Sequence, residues 1–190
     1  MTEGVHPNLE GALEILKALG LPRAQLNERS ALCLLAILNM TPDKSWSQAE
    51  NPLVGITPMM EFSRVHYGKE YAPNTRETFR RQTMHQFIDA GISLYNPDKP
   101  TRPVNSPKAV YQIEPEALKL IKLYGTSQWE PALEEYLATR QTLVERYAKE
   151  REQNRLPVQI APGKQLMLSQ GEHSELIKAI IEDFAARYVP

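Results

Sequence analysis

The sequence predicts a mainly α fold: a winged helix-turn-helix with a small β-hairpin wing, an extra N-terminal helix and a long C-terminal helix. Apolar residues recur at helical spacing along most of the 190-residue chain, and two such segments, 57–67 and 74–90, are joined by a short connection that contains Gly68. Two short segments of alternating apolar residues then flank a loop with four prolines, which is typical of a hairpin. The 42% apolar content is sufficient for one or two small cores.

Two helices are predicted before the helix-turn-helix. The first, Leu9–Leu19, has apolar residues on one face and is followed by Gly20. The second, Arg23–Met40, becomes apolar on all sides around Cys33, which predicts a central buried helix and a packing role for the cysteine. Trp46 follows in a short turn, where we expect it to anchor the core.

The first helix of the helix-turn-helix is predicted to begin at Thr57-Pro58, with threonine as the N-cap and proline at the first helical position. Gly68 ends it. Its predicted inner face consists of Met59, Phe62, Val65 and His66.

The segment Tyr71–Gly91 is the one around which the rest of the chain is organised. Asn74 is a suitable N-cap, Glu77 stands three residues later as in a capping box, and Gly91 suits a left-handed C-terminal residue. The predicted inner face consists of Phe79, Thr83, Met84, Phe87 and Ala90. The predicted outer face consists of Thr75, Thr78, Arg81, Gln82 and His85. These outer groups suit base edges and phosphates in a DNA major groove, and a solvated helix face is the alternative.

A hairpin is predicted from Ile92–Tyr95 and Ala109–Ile113, directly after this helix. The loop between them carries Lys99, Arg102 and Lys108, which are placed to reach phosphates or the minor groove. The alternative is a surface loop whose lysines serve only solubility.

Charge is concentrated in the same region. Between Arg64 and Lys108 there are eight Lys and Arg against four Asp and Glu, a net +4, whereas the whole chain carries −1. A local basic patch on an otherwise acidic chain favours a nucleic-acid partner, although ordinary fluctuation of composition is the alternative. One cysteine, no membrane-length apolar run and no signal-peptide pattern predict a soluble, cytoplasmic protein without a membrane partner.

The C-terminal third predicts further helices. One extends from Glu114 to Tyr124, and a long helix follows to about Arg155, whose charged end suits a solvated arm, a dimerisation helix or an interdomain spacer. The predicted inner face of the long helix consists of Leu133, Tyr136, Leu137, Val144 and Tyr147. A linker with strand tendency at 156–163, a short strand at 166–168 and a helix at 169–188 complete the chain. The predicted domains are 1–125 for DNA binding, 126–157 as long helix and linker, and 158–190 as the start of a further domain.

The motifs of common catalytic sites are missing from the sequence. The four histidines are isolated, and neither a Gly-rich phosphate loop nor a nucleophile elbow occurs. Pro97-Asp98 matches half of a nuclease motif, but no acid-x-Lys follows it anywhere in the chain. We therefore expect no catalytic residue, metal ligand or cofactor in this chain.

Several long segments resemble the N-terminal region of BsuBI/PstI-type restriction endonucleases. They are L-P-R-A-Q-L-N-E-R-S-A-L (21–32), W-S-Q-A-E-N-P-L-V-G-I-T-P-M-M (46–60), Y-A-P-N-T-R-E-T-F-R-R-Q-T-M-H-Q-F (71–87) and R-P-V-N-S-P-K-A-V-Y-Q-I (102–113). The resemblance implies a winged-helix domain followed by a Mg²⁺-dependent nuclease domain, in a dimeric enzyme that cleaves a palindrome such as CTGCAG. The C-terminal helix resembles the one that opens that nuclease domain, with Glu175 near the metal site. Because the nuclease motif has no counterpart here, we expect a truncated chain that is inactive alone, with Mg²⁺ needed by the full-length enzyme.

Three functions remain open at this point. The first is the DNA-binding portion of a type II restriction endonuclease, in which Arg81, Thr78, Gln82 and His85 face bases or phosphates and Asn74 is occupied as a cap. The others are a free-standing winged-helix regulator and a protein-interaction module.

Overall fold

The computed structural model describes residues 6–103, 106–140, 155–161, 163–169 and 172–185. Over this part the chain is mostly helical with two small antiparallel sheets, so the predicted mainly α class is confirmed. One hydrophobic core cluster connects the elements between Ala12 and Tyr136.

Helices α1 (Pro7–Ala18) and α2 (Glu28–Ile37) pack against each other. The predicted central position of α2 is confirmed, because Cys33 and its neighbours are fully buried, and burial raises the pKa of the Cys33 thiol. The predicted start at Arg23 is wrong. Residues Arg23–Gln25 form a separate 3₁₀ turn, and the Asn27 side chain caps α2 by accepting the Ser30 N–H at 3.0 Å.

Helix α3 (Ile56–Tyr67) ends at Gly68, which has a φ of 65° as expected for a left-handed C-terminal residue. Its predicted N-cap is wrong, since Gly55 takes that position and Thr57 lies inside the helix. The predicted inner face is partly wrong as well, because Val65 is 57% exposed and His66 is exposed. Ser63 is buried instead. Its hydroxyl donates to the Met59 carbonyl at 2.9 Å, which satisfies the polar group inside the core.

Helix α4 follows a 3₁₀ turn, Pro73–Thr75, and consists of three continuous segments. It is α-helical over Arg76–Phe79, π-helical over Arg80–Met84 and α-helical over His85–Asp89. The predicted Asn74 cap is wrong, because Asn74 lies within the 3₁₀ turn and α4 begins without a side-chain cap. Its predicted inner face is confirmed by the full burial of Phe79, Thr83, Met84 and Phe87, and Gly91 has the expected positive φ of 70°.

Strands β1 (Ser93–Tyr95) and β2 (Tyr111–Ile113) form the predicted antiparallel hairpin, with Leu94 opposite Gln112. Val54, just before α3, adds a β-bridge to Tyr111 through two backbone hydrogen bonds of 2.9 Å. The segment before α3 is therefore hydrogen-bonded to the hairpin after α4, and the helix-turn-helix lies between them in the chain.

Helix α5 (Pro115–Ile121) is capped by Glu114, whose buried carboxylate accepts the Ala117 N–H at 2.8 Å. Helix α6 is described over 129–140. Its predicted core residue Tyr136 is buried, whereas Leu137 is 41% exposed. The predicted core positions Val144 and Tyr147 and the charged end of this helix lie outside the described residues.

The C-terminal unit is a second hairpin with a helix. Strands β3 (Arg155–Ala161) and β4 (Lys164–Ser169) pair antiparallel, so the expected linker at 156–163 is largely a strand. Helix α7 (Glu172–Ala179) continues as a π-helix over Ile180–Ala185 and contacts β3. Val158 is buried in this unit, whereas several apolar side chains are exposed: Ile160, Leu166, Met167, Leu176 and Ile180.

Candidate nucleic-acid interface

The outer face of α4 is polar and partly accessible to solvent in its N-terminal half. The Arg81 side chain is 68% exposed and Gln82 is exposed, whereas Thr75, Thr78 and His85 are half-buried. The five side chains predicted for this face are therefore outside the core, and the solvated face extends from the turn before α4 to its middle.

A cavity of about 490 Å³ lies between the N-terminal half of α4, the start of α3 and the end of the hairpin loop. We call it the arginine groove, after the three arginines among its lining residues: Ile56, Asn74, Arg76, Glu77, Arg80, Arg81, Ser106, Pro107 and Ala109. Of the predicted site residues, Asn74 and Arg81 line the groove, where they lie near the end of the hairpin loop. The others do not line it: Thr75, Thr78, Gln82, His85, Lys99, Arg102 and Lys108. Its three arginines and one acid give it a formal charge of +2.

Glu77 organises two of these arginines. Its carboxylate accepts Arg80 Nε at 2.9 Å and Arg80 Nη2 at 2.5 Å, and it also accepts Arg81 Nε. Hydrogen bonds from Arg80 are the main cause that lowers the pKa of Glu77 to about 2, so the carboxylate is ionised at neutral pH. Among the described residues, no acidic side chain lies within 4 Å of the Arg76 guanidinium, so its charge stays available to a ligand.

His85 lies one turn beyond Arg80, and the Arg80 Nη1 atom is 3.3 Å from its Nε2 atom. Burial and the nearby guanidinium both lower the pKa of His85, which keeps its imidazole neutral at physiological pH. A neutral ring in this contact accepts at Nε2 from the guanidinium. Its other ring nitrogen then carries the proton and is a donor.

Arg29 connects α2 to the middle of α4. Its Nε donates to the buried Thr83 hydroxyl oxygen at 3.0 Å, and its Nη2 lies 3.5 Å from Gln82 Oε1. These contacts hold the π-helical segment against α2 and place a further guanidinium beside Gln82 on the accessible face.

The hairpin loop divides its basic residues between two roles. Lys99 and Lys108 are exposed. Arg102 is only 13% exposed, because its guanidinium donates to Asn96 Oδ1 at 2.7 Å and to the two carboxylate oxygens of Asp98 at 3.0 and 2.6 Å. Arg102 therefore stabilises the loop internally, and the two lysines are the basic groups that the described part of the loop exposes to solvent.

Sequence reasoning underestimated three arginines. Arg76 and Arg80 were assigned to neither predicted face of this helix, yet both line the arginine groove. Their spacing of four residues, followed directly by Arg81, was a visible signal, because such residues share a helix face. Arg29 had no local signal, since its contacts lie 53 and 54 residues away in the chain.

This geometry defines a helical domain of the helix-turn-helix class with a cationic helix face. The model of the BsuBI/PstI restriction endonuclease HTH domain matches residues 6–145. The chain therefore belongs to the BsuBI/PstI restriction endonuclease family.

Similar proteins agree with this assignment. The chain is 72% identical over 190 residues to the type II restriction enzyme BsuBI of Bacillus subtilis, covering 100% of this chain and 60% of that protein. It is 41% identical over 182 residues to the type II restriction enzyme AplI of Arthrospira platensis, covering 94% of this chain and 56% of that protein. The structure of SdaI restriction endonuclease superposes with a TM-score of 0.67 at 31% identity, over 96% of this chain and 57% of that chain.

The chain thus spans about three fifths of the length of the curated relatives that it matches. Within the described residues, no helix is both long enough and apolar enough to cross a membrane.

Proposed function

We propose that this chain is the DNA-recognition portion of a type II restriction endonuclease and that α4 enters the major groove of duplex DNA. One observation carries the proposal: Arg81 of the exposed α4 face lines the arginine groove together with Arg76, Arg80 and the end of the hairpin loop. The groove has a formal charge of +2, in a chain of this restriction endonuclease family. Arginine donates in bidentate fashion to guanine, and a major groove is wide enough to admit a helix.

The proposed contacts divide into two groups. Arg81 and Gln82, the most exposed polar side chains of the α4 face, contact base edges. Asn74, Thr75, Thr78 and His85, which are hydroxyl, amide and imidazole groups near the ends of that face, contact bases or phosphates. Lys99 and Lys108 contact the phosphate backbone of the DNA as part of a wing. The winged-helix description is supported by the chain order of Val54, α3, α4 and the hairpin, and by the β-bridge between Val54 and the hairpin strand β2.

The remaining assignments concern the longer enzyme. Relatives named as type II restriction enzymes support an action on duplex DNA. We further propose that the full-length enzyme is a cytoplasmic homodimer and that it holds Mg²⁺ through residues outside this chain. Residues 158–190 are then the beginning of the nuclease domain, and 126–157 connect it to the DNA-binding domain 1–125. Exposed apolar side chains on β3, β4 and α7 are compatible with such a division.

Binding isotherms test the proposal. The chain is titrated with a CTGCAG duplex and with a duplex of the same composition in scrambled order, each at two salt concentrations. We expect tighter binding to CTGCAG at both, with a steep salt dependence from phosphate contacts. Sedimentation with and without duplex gives the stoichiometry. A dimer that binds neither duplex would contradict DNA recognition and favour a protein-interaction module.

A further inference from the structure

One acidic side chain, Glu77, lies among the three arginines that line the arginine groove. Glu77 is exposed, with a side-chain accessibility of 54%, and it faces Arg80 and Arg81 at distances of ion pairing. Both guanidiniums therefore share one carboxylate as their ion-pair partner, and that carboxylate is itself accessible to a ligand.

The Glu77 carboxylate disfavours contacts between the arginine groove and DNA phosphates, which are present in every DNA sequence. A phosphate that approaches Arg80 or Arg81 in the groove also approaches Glu77, and like charges at such distances repel each other. To bind the arginines fully, the phosphate would have to displace Glu77 from its three guanidinium hydrogen bonds. Sequence-independent binding is therefore weakened at this point of the surface.

Base edges differ from phosphates because some of them carry donors. Cytosine N4 and adenine N6 are amino groups that a carboxylate accepts, whereas guanine O6 and N7 accept from arginine. A G·C pair presents both kinds of group in the major groove, and Glu77 and Arg81 present the complementary kinds within one helical turn. We propose that Glu77 is a specificity-determining residue that accepts an exocyclic amino group of cytosine or adenine and excludes phosphate from the arginine groove. This inference rests on the proposed function of α4.

An ordinary helix-stabilising ion pair is the competing explanation, and α3 offers a matched example. Glu61 accepts Arg64 Nη2 at 2.5 Å with the same spacing of three residues and similar exposure. Glu61 pairs with one arginine among the described residues, and it does not line the arginine groove. Substitution of either glutamate by methionine removes one negative charge and all acceptors at similar side-chain length.

The first measurement compares Glu77→Met with Glu61→Met in salt titrations on scrambled duplex. We expect Glu77→Met to bind scrambled duplex several-fold more tightly and to steepen the slope of log K against log salt by about one, because one more phosphate contact forms. Glu61→Met should stay within twofold of the wild type in both quantities. If the two variants behaved alike, the effect would be one of net charge and the inference would be refuted.

The second measurement removes amino groups from DNA. In CTGCAG duplexes, cytosine is replaced by 2-pyrimidinone and adenine by purine, one position at a time. We expect the wild type to lose roughly tenfold to a hundredfold in affinity at one position, as for the loss of one base contact, and Glu77→Met to lose nothing further there. Equal losses in both proteins at every position would overturn the amino-group contact.

The two proposals fail in different ways. If the wild-type chain did not distinguish CTGCAG from scrambled duplex, DNA recognition by α4 would fail and the role of Glu77 with it. If the wild type distinguished them and Glu77→Met kept the same ratio of affinities, only the role of Glu77 would fail. Circular dichroism of both variants establishes that α4 and the remaining helices are intact.

Discussion

Arg140 of α6 connects the C-terminal ends of two other helices, and its removal gives a sharp test of how α4 is held. Its Nε donates to the Ala90 carbonyl at the end of α4 at 3.0 Å, and its Nη1 donates to the Leu19 carbonyl at the end of α1. The last carbonyls of a helix lack intrahelical partners and carry partial negative charge, so a cation there is favourable. A hydrogen bond to a charged group contributes about 1.5–3 kcal/mol. Because the side chain is half-buried, the lower bound applies to each bond, and Arg140→Ala should lower the free energy of unfolding by about 3 kcal/mol.

Urea unfolding followed by tryptophan fluorescence measures this effect. Both tryptophans, Trp46 and Trp129, lie in the part of the chain that contains α1, α4 and α6, so the signal reports on the affected core. With an m-value of about 2 kcal/mol/M, the midpoint should fall by roughly 1.5 M. Arg64→Ala, which removes an exposed ion pair, should change stability by less than about 1 kcal/mol. A midpoint for Arg140→Ala that equals that of Arg64→Ala would refute the reasoning.

Three further predictions concern α4. Thr83→Val keeps the side-chain shape but removes the acceptor of Arg29 Nε, so it should cost about 1 kcal/mol in urea unfolding, and Thr83→Ser should restore most of this loss. Carbon-detected NMR titration should place the pKa of Glu77 near 2. Because this pKa is lower in the folded than in the unfolded protein, the ionised carboxylate stabilises the fold fully above the unfolded pKa near 4.5, and this stabilisation is lost as the pH falls through about 2. Arg81→Ala should weaken binding to CTGCAG by about 1–3 kcal/mol and binding to scrambled duplex by less, whereas an equal loss on both would make Arg81 a phosphate contact.

The elements that the sequence predicted well are those whose signal is local. Hydrophobic spacing located α4 and its buried face, alternation located the hairpin, and Gly68 and Gly91 marked helix ends because their positive φ favours glycine. Helix starts were predicted less well. Asn74 and Thr57 both have the chemistry of an N-cap, but the chain enters each helix through other residues, Thr75 and Gly55.

What the sequence could not predict depends on contacts between distant residues. The π-helical segment Arg80–Met84 has the composition of an ordinary helix, and its wider turn coincides with the position where Arg29 reaches Thr83 from another helix. Arg102 illustrates a different limit: its partners are close in the sequence, but a basic residue in a loop suggests a phosphate contact. Only the structure shows that the Arg102 guanidinium pairs with the Asp98 carboxylate inside the loop.

Helix α4 is held by arginines from two other helices, and this bears directly on how it binds. Arg29 fixes its middle to α2 and Arg140 fixes its C-terminal end to α6, while Glu77 orients the side chains at its N-terminal end. A contact to a base edge is effective only when the side chain keeps its geometry, because ordering a flexible side chain on binding costs about 0.5–1.5 kcal/mol. The ion pairs with Glu77 already order the side chains of Arg80 and Arg81 in the folded protein, so little further entropy is lost when they bind DNA.

Discrimination between DNA sequences should therefore fall in Arg140→Ala, even though Arg140 lies at the opposite end of α4 from the arginine groove. The substitution Arg140→Lys, which keeps the charge but not the fork of donors, should show an intermediate loss in the same isotherms.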